Sequence, residues 1–409
     1  LTFANSGDYP QERAADGHPE PRRQNERDEV EHVAGSTLTS IFEEIGVKPV
    51  INAVGNQTVL GGSQLSPRVR EAMEEANRYF IDMRELLDRS GEIIARLLGA
   101  EAAYVTPGCA AALALGTAAC MTGADQEKMG QLPDTTGLKN EVLIQAASRY
   151  KYDRCPTVVG AKLVEYGSPD GATAADLDAA IGPNTTCVLY LGMKQHQPGI
   201  IPLDQLVATA HRRGVPVLVD AAGEVYPLDL MKSYTRAGCD LVGFGSKYFG
   251  GPNSAGILCG RKDLVDSAAM QGFIGFESTG SRSVGRPLKL DRQEIIAVVV
   301  ALQEWFSQDH DARLRGYERM VRAISEHLQG LPGLTAVPQP SGNGPATRLE
   351  VTIQPRPSGL DAASVAQKLR DGNPSIRVGQ RGDILVINVH TVTPGDEEII
   401  GERLRNILR

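Results

Sequence analysis

Val215-Pro-Val-Leu-Val-Asp-Ala-Ala222 and Cys239-Asp-Leu-Val-Gly-Phe-Gly-Ser-Lys-Tyr-Phe-Gly-Gly-Pro-Asn-Ser-Ala-Gly256 each carry a short apolar run that ends beside an ionisable residue. Val217-Leu-Val and Leu241-Val-Gly-Phe are too short for helices and are bounded by turn residues, so they read as strands buried on both faces. The same grammar extends upstream. Ala102-Ala-Tyr-Val-Thr, Val142-Leu-Ile-Gln, Leu163-Val-Glu-Tyr and Cys187-Val-Leu-Tyr-Leu read as strands, with helices over 107–121 and 206–213. Gly256-Ile-Leu-Cys reads as a returning strand. Apolar strands separated by helices predict an α/β fold with a mainly parallel central sheet covered on both faces.

Farther out, Lys48-Pro-Val-Ile-Asn-Ala-Val-Gly reads as a short strand and turn. Ser66 and Pro67 suit the cap and first turn of a helix. A second amphipathic helix ends at Gly99. Downstream, a long helix over 291–310 leads to a smaller α+β lobe, with helices over 315–328, 362–370 and 396–408 and strands over 347–353, 376–378 and 384–389. The expected organisation is a polar, disordered arm (1–36), a large domain (37–290) that includes the N-terminal segment, and a bridging helix with a small C-terminal domain (291–409). An arm that wraps a partner subunit is the other reading of 1–36.

The 409 residues are 41% hydrophobic and 22% charged, enough for a large core without disulfides. A net charge of −8 argues against a nucleic-acid partner. The cysteines, at 109, 120, 155, 187, 239 and 259, form no CxxC pair, so no metal site is expected. Reduced thiols fit a cytoplasmic protein. No run approaches the roughly 20 apolar residues of a membrane span, and the first residues lack a signal-peptide pattern.

In parallel sheets ligands bind beyond the C-terminal strand ends, so Asp220 and Lys247 are expected at one edge. A loop lysine alone is usually solvated, and an aspartate alone is often a helix cap. Here the lysine follows an apolar strand, stands between Gly245 and Gly250-Gly251, and has a carboxylate at the end of a preceding strand. Pyridoxal 5'-phosphate needs such a pair: a lysine for the Schiff base and for proton transfer at Cα, and a carboxylate that keeps the pyridine nitrogen protonated. Ala222 is expected to pack on the ring, and Ser246 to give its hydroxyl to the phosphate. Thr106-Pro-Gly-Cys-Ala-Ala is strand, turn and helix start, which aims the N–H groups of Gly108, Cys109 and Ala110 at an anion. Neither GxGxxG nor GxxxxGK[ST] occurs.

Together with Ile51-Asn-Ala-Val-Gly, Gly99-Ala-Glu-Ala-Ala-Tyr-Val-Thr-Pro-Gly, Leu132-Pro-Asp-Thr-Thr-Gly-Leu-Lys-Asn-Glu-Val, Gly243-Phe-Gly-Ser-Lys-Tyr-Phe-Gly-Gly-Pro and Gly285-Arg-Pro-Leu-Lys-Leu-Asp, these motifs resemble the selenocysteine-synthase-like branch of fold-type-I pyridoxal-phosphate enzymes. The resemblance runs from about residue 45 to the C-terminus, and within the branch it points to the D-glucosaminate-6-phosphate ammonia-lyase group. It implies a fold-type-I transferase-like architecture and a homodimer or higher homo-oligomer with sites at the subunit interface. It also implies the Schiff-base role for Lys247, the pyridine contact for Asp220, and a place near substrate or phosphate for Arg286.

Two departures stand out. Ser148 occupies the position where relatives often carry the histidine of a His-Arg pair, which leaves Tyr152, Arg149 or His196 to replace the imidazole; Tyr152 is expected at the cofactor. The late strand Ile384-Leu-Val-Ile-Asn-Val-His has no arginine, so Arg348 and Arg377 are the expected substrate-carboxylate ligands. The function expected is a lyase, a dehydratase or ammonia-lyase, acting on an amino acid or amino-sugar acid by Cα deprotonation and β-elimination. Racemases, aldolases and aminotransferases share the first steps. The acidic charge disfavours tRNA-dependent selenium transfer, and an intact Asp220 and Lys247 disfavour a non-catalytic scaffold.

Overall fold

The computed structural model describes residues 40–280, 282–340, 344–354 and 360–409. The arm expected over 1–36 lies outside the described residues. The chain divides into Leu1–Lys48 and Pro49–Arg409. In the first unit the helix Ile41–Ile45 is closed by a capping box of Ser40 and Glu43 and ends at Gly46 in the left-handed region.

The second unit holds two sheets. The strands are β1 (Val50–Ala53), β2 (Ala102–Thr106), β3 (Glu141–Gln145), β4 (Lys162–Tyr166), β5 (Thr185–Leu191), β6 (Val217–Asp220), β7 (Leu241–Gly245), β8 (Gly256–Gly260), β9 (Leu334–Pro340), β10 (Ala346–Ile353), β11 (Ser375–Arg381) and β12 (Ile384–Asn388). The larger sheet runs β2-β8-β7-β6-β5-β3-β4. Its pairs from β7 to β4 are parallel, and β8 returns antiparallel to both β7 and β2. This is the mainly parallel sheet the sequence predicts.

β5, β6, β7 and β8 are buried at every position, which is why they read as unbroken apolar runs rather than alternating ones. The helix Gly108–Thr122 is apolar nearly all round because it too is sunk in the core. Its Gly116 faces Leu218, Leu241 and Leu258, where an added Cβ would stand 3.2–3.5 Å from their methyls. Full burial of Phe244 contributes about 1.5–3 kcal/mol.

The smaller sheet runs β1-β11-β12-β10-β9. β1 lies parallel to β11, with Ile51 opposite Ile376, and Ile51 and Ala53 alternate into the second core. Sheet membership therefore does not follow the expected boundary at 290: a strand from the start of the chain completes the C-terminal sheet. β9 is an edge strand that sequence reasoning misses. Pro338 and Pro340 interrupt its propensity, as only an edge tolerates.

Between the sheets in sequence, the helix Arg292–Ser307 starts from a capping box of Asp291 and Glu294 and buries Ile295, Val298, Leu302 and Trp305. Among the described residues, no helix is long and apolar enough to cross a membrane.

Candidate functional site

The C-terminal ends of β6 and β7 and the start of the helix Gly108–Thr122 meet around a cavity of about 270 Å3. Asp220 is the last residue of β6. Lys247 sits one residue into the short 3-10 turn Ser246–Phe249 that follows β7, a turn closed by Gly250 at φ +84°. Both line this cavity, with Gly108, Cys109, Ala110, Tyr152, Ala222 and Tyr248.

The helix start is held close to the sheet. A Cβ on Gly256 of β8 would stand 2.5 Å from the Gly108 carbonyl carbon and 2.7 Å from the Cys109 nitrogen. No side chain caps this helix and its first turn contains no acid. Its free N–H groups and dipole thus form a ready anion site.

Asp220 is buried and well supplied with donors. The Ala222 N–H donates to its Oδ1 at 3.0 Å, the Cys109 thiol to the same oxygen at 3.5 Å, and the Tyr150 hydroxyl to Oδ2. Burial, and then the Asp220 carboxylate, push the Tyr150 hydroxyl and the Cys109 thiol well above their ordinary ranges, so both stay protonated as donors. Tyr150 is a site residue that sequence reasoning missed. It stands two places after the unexpected Ser148, and its position over a strand end is set by the fold.

Lys247 contrasts with Asp220. No carboxylate pairs with it among the described residues. Its Nζ donates to the Thr58 hydroxyl at 2.8 Å and lies 5.2 Å from the centre of the Tyr248 ring. The Asn56 amide holds its backbone carbonyl at 2.9 Å. Desolvation lowers its pKa from 10.5, which raises the share of neutral, nucleophilic amine.

Lys247 and Tyr248 also belong to the wall of a second cavity of about 660 Å3. It reaches Arg68, Glu304, Trp305, Arg313, Tyr317 and His390. Lys247 therefore stands in the walls of both a small cleft, with a carboxylate and an uncapped helix start, and a larger chamber.

Other expected residues lie elsewhere. Ser246 is fully buried, and its hydroxyl donates to the Pro252 carbonyl and, at 2.9 Å, to that of Ala255. It turns away from the cavity because the tight loop after β7 has carbonyls to satisfy. Arg286 pairs with Glu277 at 2.7 Å, Arg348 lies 3.7 Å from Glu350, and Arg377 stands on β11 opposite Asn52. None of these three arginines lines either cavity. Of the imidazole replacements, Tyr152 reaches the cleft, edge-on to Tyr150 with ring centres 6.1 Å apart. Arg149 instead ties Asp153 at 2.5 Å and also pairs with Glu165, a structural role, and His196 lines neither cavity.

Comparison with known proteins agrees with this geometry. The model of the family "Aminotransferase class-V" matches residues 70–393. A 5'-C-glycyluridine monooxygenase-decarboxylase from a Streptomyces species is 31% identical, over 90% of this chain and 92% of its own. A D-glucosaminate-6-phosphate ammonia lyase from Salmonella typhimurium is 28% identical, over 90% of this chain and 98% of its own. A solved structure of D-glucosaminate-6-phosphate ammonia-lyase superposes with a TM-score of 0.79 at 28% identity, covering 91% of this chain and 98% of that one. A family match over most of the length, joined to the sheet order and the pairing of carboxylate and amine at one strand edge, settles the family: the chain belongs to the aminotransferase class-V enzymes, which have the fold-type-I architecture and use pyridoxal 5'-phosphate.

Proposed function

We propose that the protein is a lyase of this family that removes water or ammonia from an amino acid or amino-sugar acid. The observation that carries the reading is that Lys247 stands in the walls of both cavities, with Asp220 and the uncapped helix start in the smaller one.

The donor set there fits pyridoxal 5'-phosphate. The N–H groups of Gly108, Cys109 and Ala110 would receive the phosphate, Asp220 the pyridine nitrogen, and Ala222 and Tyr152 would flank the ring. Lys247 supplies the amine that would hold the aldehyde carbon. When bound, the cofactor supplies an electron sink for a carbanion at the substrate Cα.

The chain's own groups do the rest. Asp220 would hold a proton at the ring nitrogen, and the Tyr150 hydroxyl holds the carboxylate in place. Lys247, which has no acidic partner among the described residues and a pKa lowered by desolvation, would take the Cα proton. Loss of a Cβ hydroxyl together with that proton would release water, and addition of one water to the resulting enamine would release ammonia and leave a 2-keto acid.

The enzyme is proposed to act as a homodimer or higher homo-oligomer; Phe80, 97% exposed, and Val59, 84% exposed, support an assembly that covers them. A cytoplasmic location is proposed because all six cysteines are free thiols.

A panel of D- and L-amino acids and amino-sugar acids, assayed for ammonia and keto acid, tests the reaction. Ammonia and keto acid in equal amounts support a lyase. Racemised product, amino transfer to a keto-acid acceptor, or oxygen uptake with release of carbon dioxide would replace it with another reaction of the same cofactor.

A further inference from the structure

Arg313 has an unusual setting for a cation. Its guanidinium carbon lies 4.4 Å from the centre of the Trp305 ring, 5.1 Å from that of Tyr226 and 5.6 Å from that of Tyr317. Its Nε is buried and has no hydrogen-bond partner. Among the described residues, no carboxylate oxygen lies within ion-pair distance of it. Arginine is seldom shielded in this way unless something pairs with it. The three rings surround the guanidinium, and Arg313 lines the larger cavity.

The charge of that cavity points the same way. Arg68, Lys247 and Arg313 line it against one carboxylate, Glu304, which already accepts the Ser66 hydroxyl at 2.6 Å. His390 also lines the wall, its ring 5.0 Å from that of Tyr317. Desolvation, then Arg313 and Arg348, lower its pKa to about 4, so it adds no charge at neutral pH. A volume of about 660 Å3 is in the range that takes ligands larger than a short amino acid. Among the described residues neither Arg68 nor Arg313 has a carboxylate within ion-pair distance, so a single α-carboxylate gripped by one of them would leave the other without a close anionic partner.

We propose that the substrate carries a second oxyanion besides its α-carboxylate, a phosphate or a further carboxylate, and that Arg313 is the residue that binds it. The inference rests on the function proposed above and narrows it to doubly anionic amino acids. Arg313 acts here as a specificity residue. Its fork grips the far end of the substrate, so the amine and Cα arrive at Lys247 in a fixed pose.

Trp305 is the single tryptophan of the chain, so its fluorescence reports on this one place. The test titrates the cofactor-loaded protein with inorganic phosphate and, separately, with succinate, while following Trp305 emission. A saturable change is expected, and the oxyanion that saturates at lower concentration identifies the class. Arg313→Gln is expected to weaken that binding at least tenfold. Arg313→Lys, which keeps the charge but loses the fork, falls between. In turnover, Arg313→Gln should raise KM at least tenfold for doubly anionic substrates, change kcat by less than threefold, and leave neutral-chain analogues unaffected. No saturable change with either oxyanion overturns the proposal, and so do equal curves for the native protein and both variants. Cofactor uptake, read by visible absorbance, is a separate readout. Loading without an oxyanion response defeats this inference alone, whereas an oxyanion response without loading keeps the subsite and defeats the proposed function.

Discussion

Asp220 meets three donors and Lys247 meets one hydroxyl, and that difference separates their roles. A carboxylate so supplied is held in fixed orientation, while burial lowers the pKa of an amine that has no acidic partner among the described residues. Tyr150→Phe removes the donor that steadies Asp220. Loss of a hydrogen bond to a charged group amounts to about 1.5–3 kcal/mol, so cofactor affinity should fall about tenfold or more. Spectroscopic titration of the apoprotein checks this, and unchanged affinity would show that Tyr150 is a bystander. His390 gives a pH test. Its folded pKa of about 4 lies below the ordinary 6.5, so the unfolded chain takes a proton the folded one refuses. This contribution to stability therefore declines as pH falls from 6.5 toward 4. NMR titration should find the His390 midpoint near 4, and higher in Arg313→Gln because a neighbouring cation is gone; a midpoint of 6.5 in the native protein would contradict the described setting.

At the scale of elements, the anion site depends on how closely the helix Gly108–Thr122 approaches β8. Gly256→Ala would drive a methyl into backbone atoms of Gly108 and Cys109, which cannot swing aside. A destabilisation of about 1–3 kcal/mol is expected, with weaker binding of cofactor phosphate. Urea denaturation and phosphate titration measure the two effects, and normal values for both would mean that the helix start is not set by this contact. The same elements show what the sequence made legible. Buried parallel strands announce themselves by unbroken apolar runs, so β5 to β8 and the residues ending β6 and β7 were readable. The Pro-bearing edge strand β9 carries no such pattern. Sequence could not show that the Ser246 hydroxyl contacts two loop carbonyls, because the loop that brings Pro252 and Ala255 to it is set by the fold. Arg313 gave no local signal. It lies on a helical segment whose charges look solvated, and only the fold brings Trp305, Tyr226 and Tyr317 around it.

At the scale of the whole molecule, β1 joins the C-terminal sheet, and the larger cavity draws its wall from residues 56 to 394. Ligands held there engage segments far apart in sequence and should stabilise Pro49–Arg409 as a unit. Cofactor at 100 times its dissociation constant adds about 2.7 kcal/mol, enough to raise the melting midpoint by several degrees. Calorimetry should show that rise for the native protein and a smaller one for Lys247→Ala; equal rises would place the attachment elsewhere. The most direct test of the central claim is borohydride reduction of the cofactor-loaded protein followed by peptide mass spectrometry. The account predicts the reduced cofactor mass on the peptide at Lys247; its appearance on another lysine, or on none, would contradict the account.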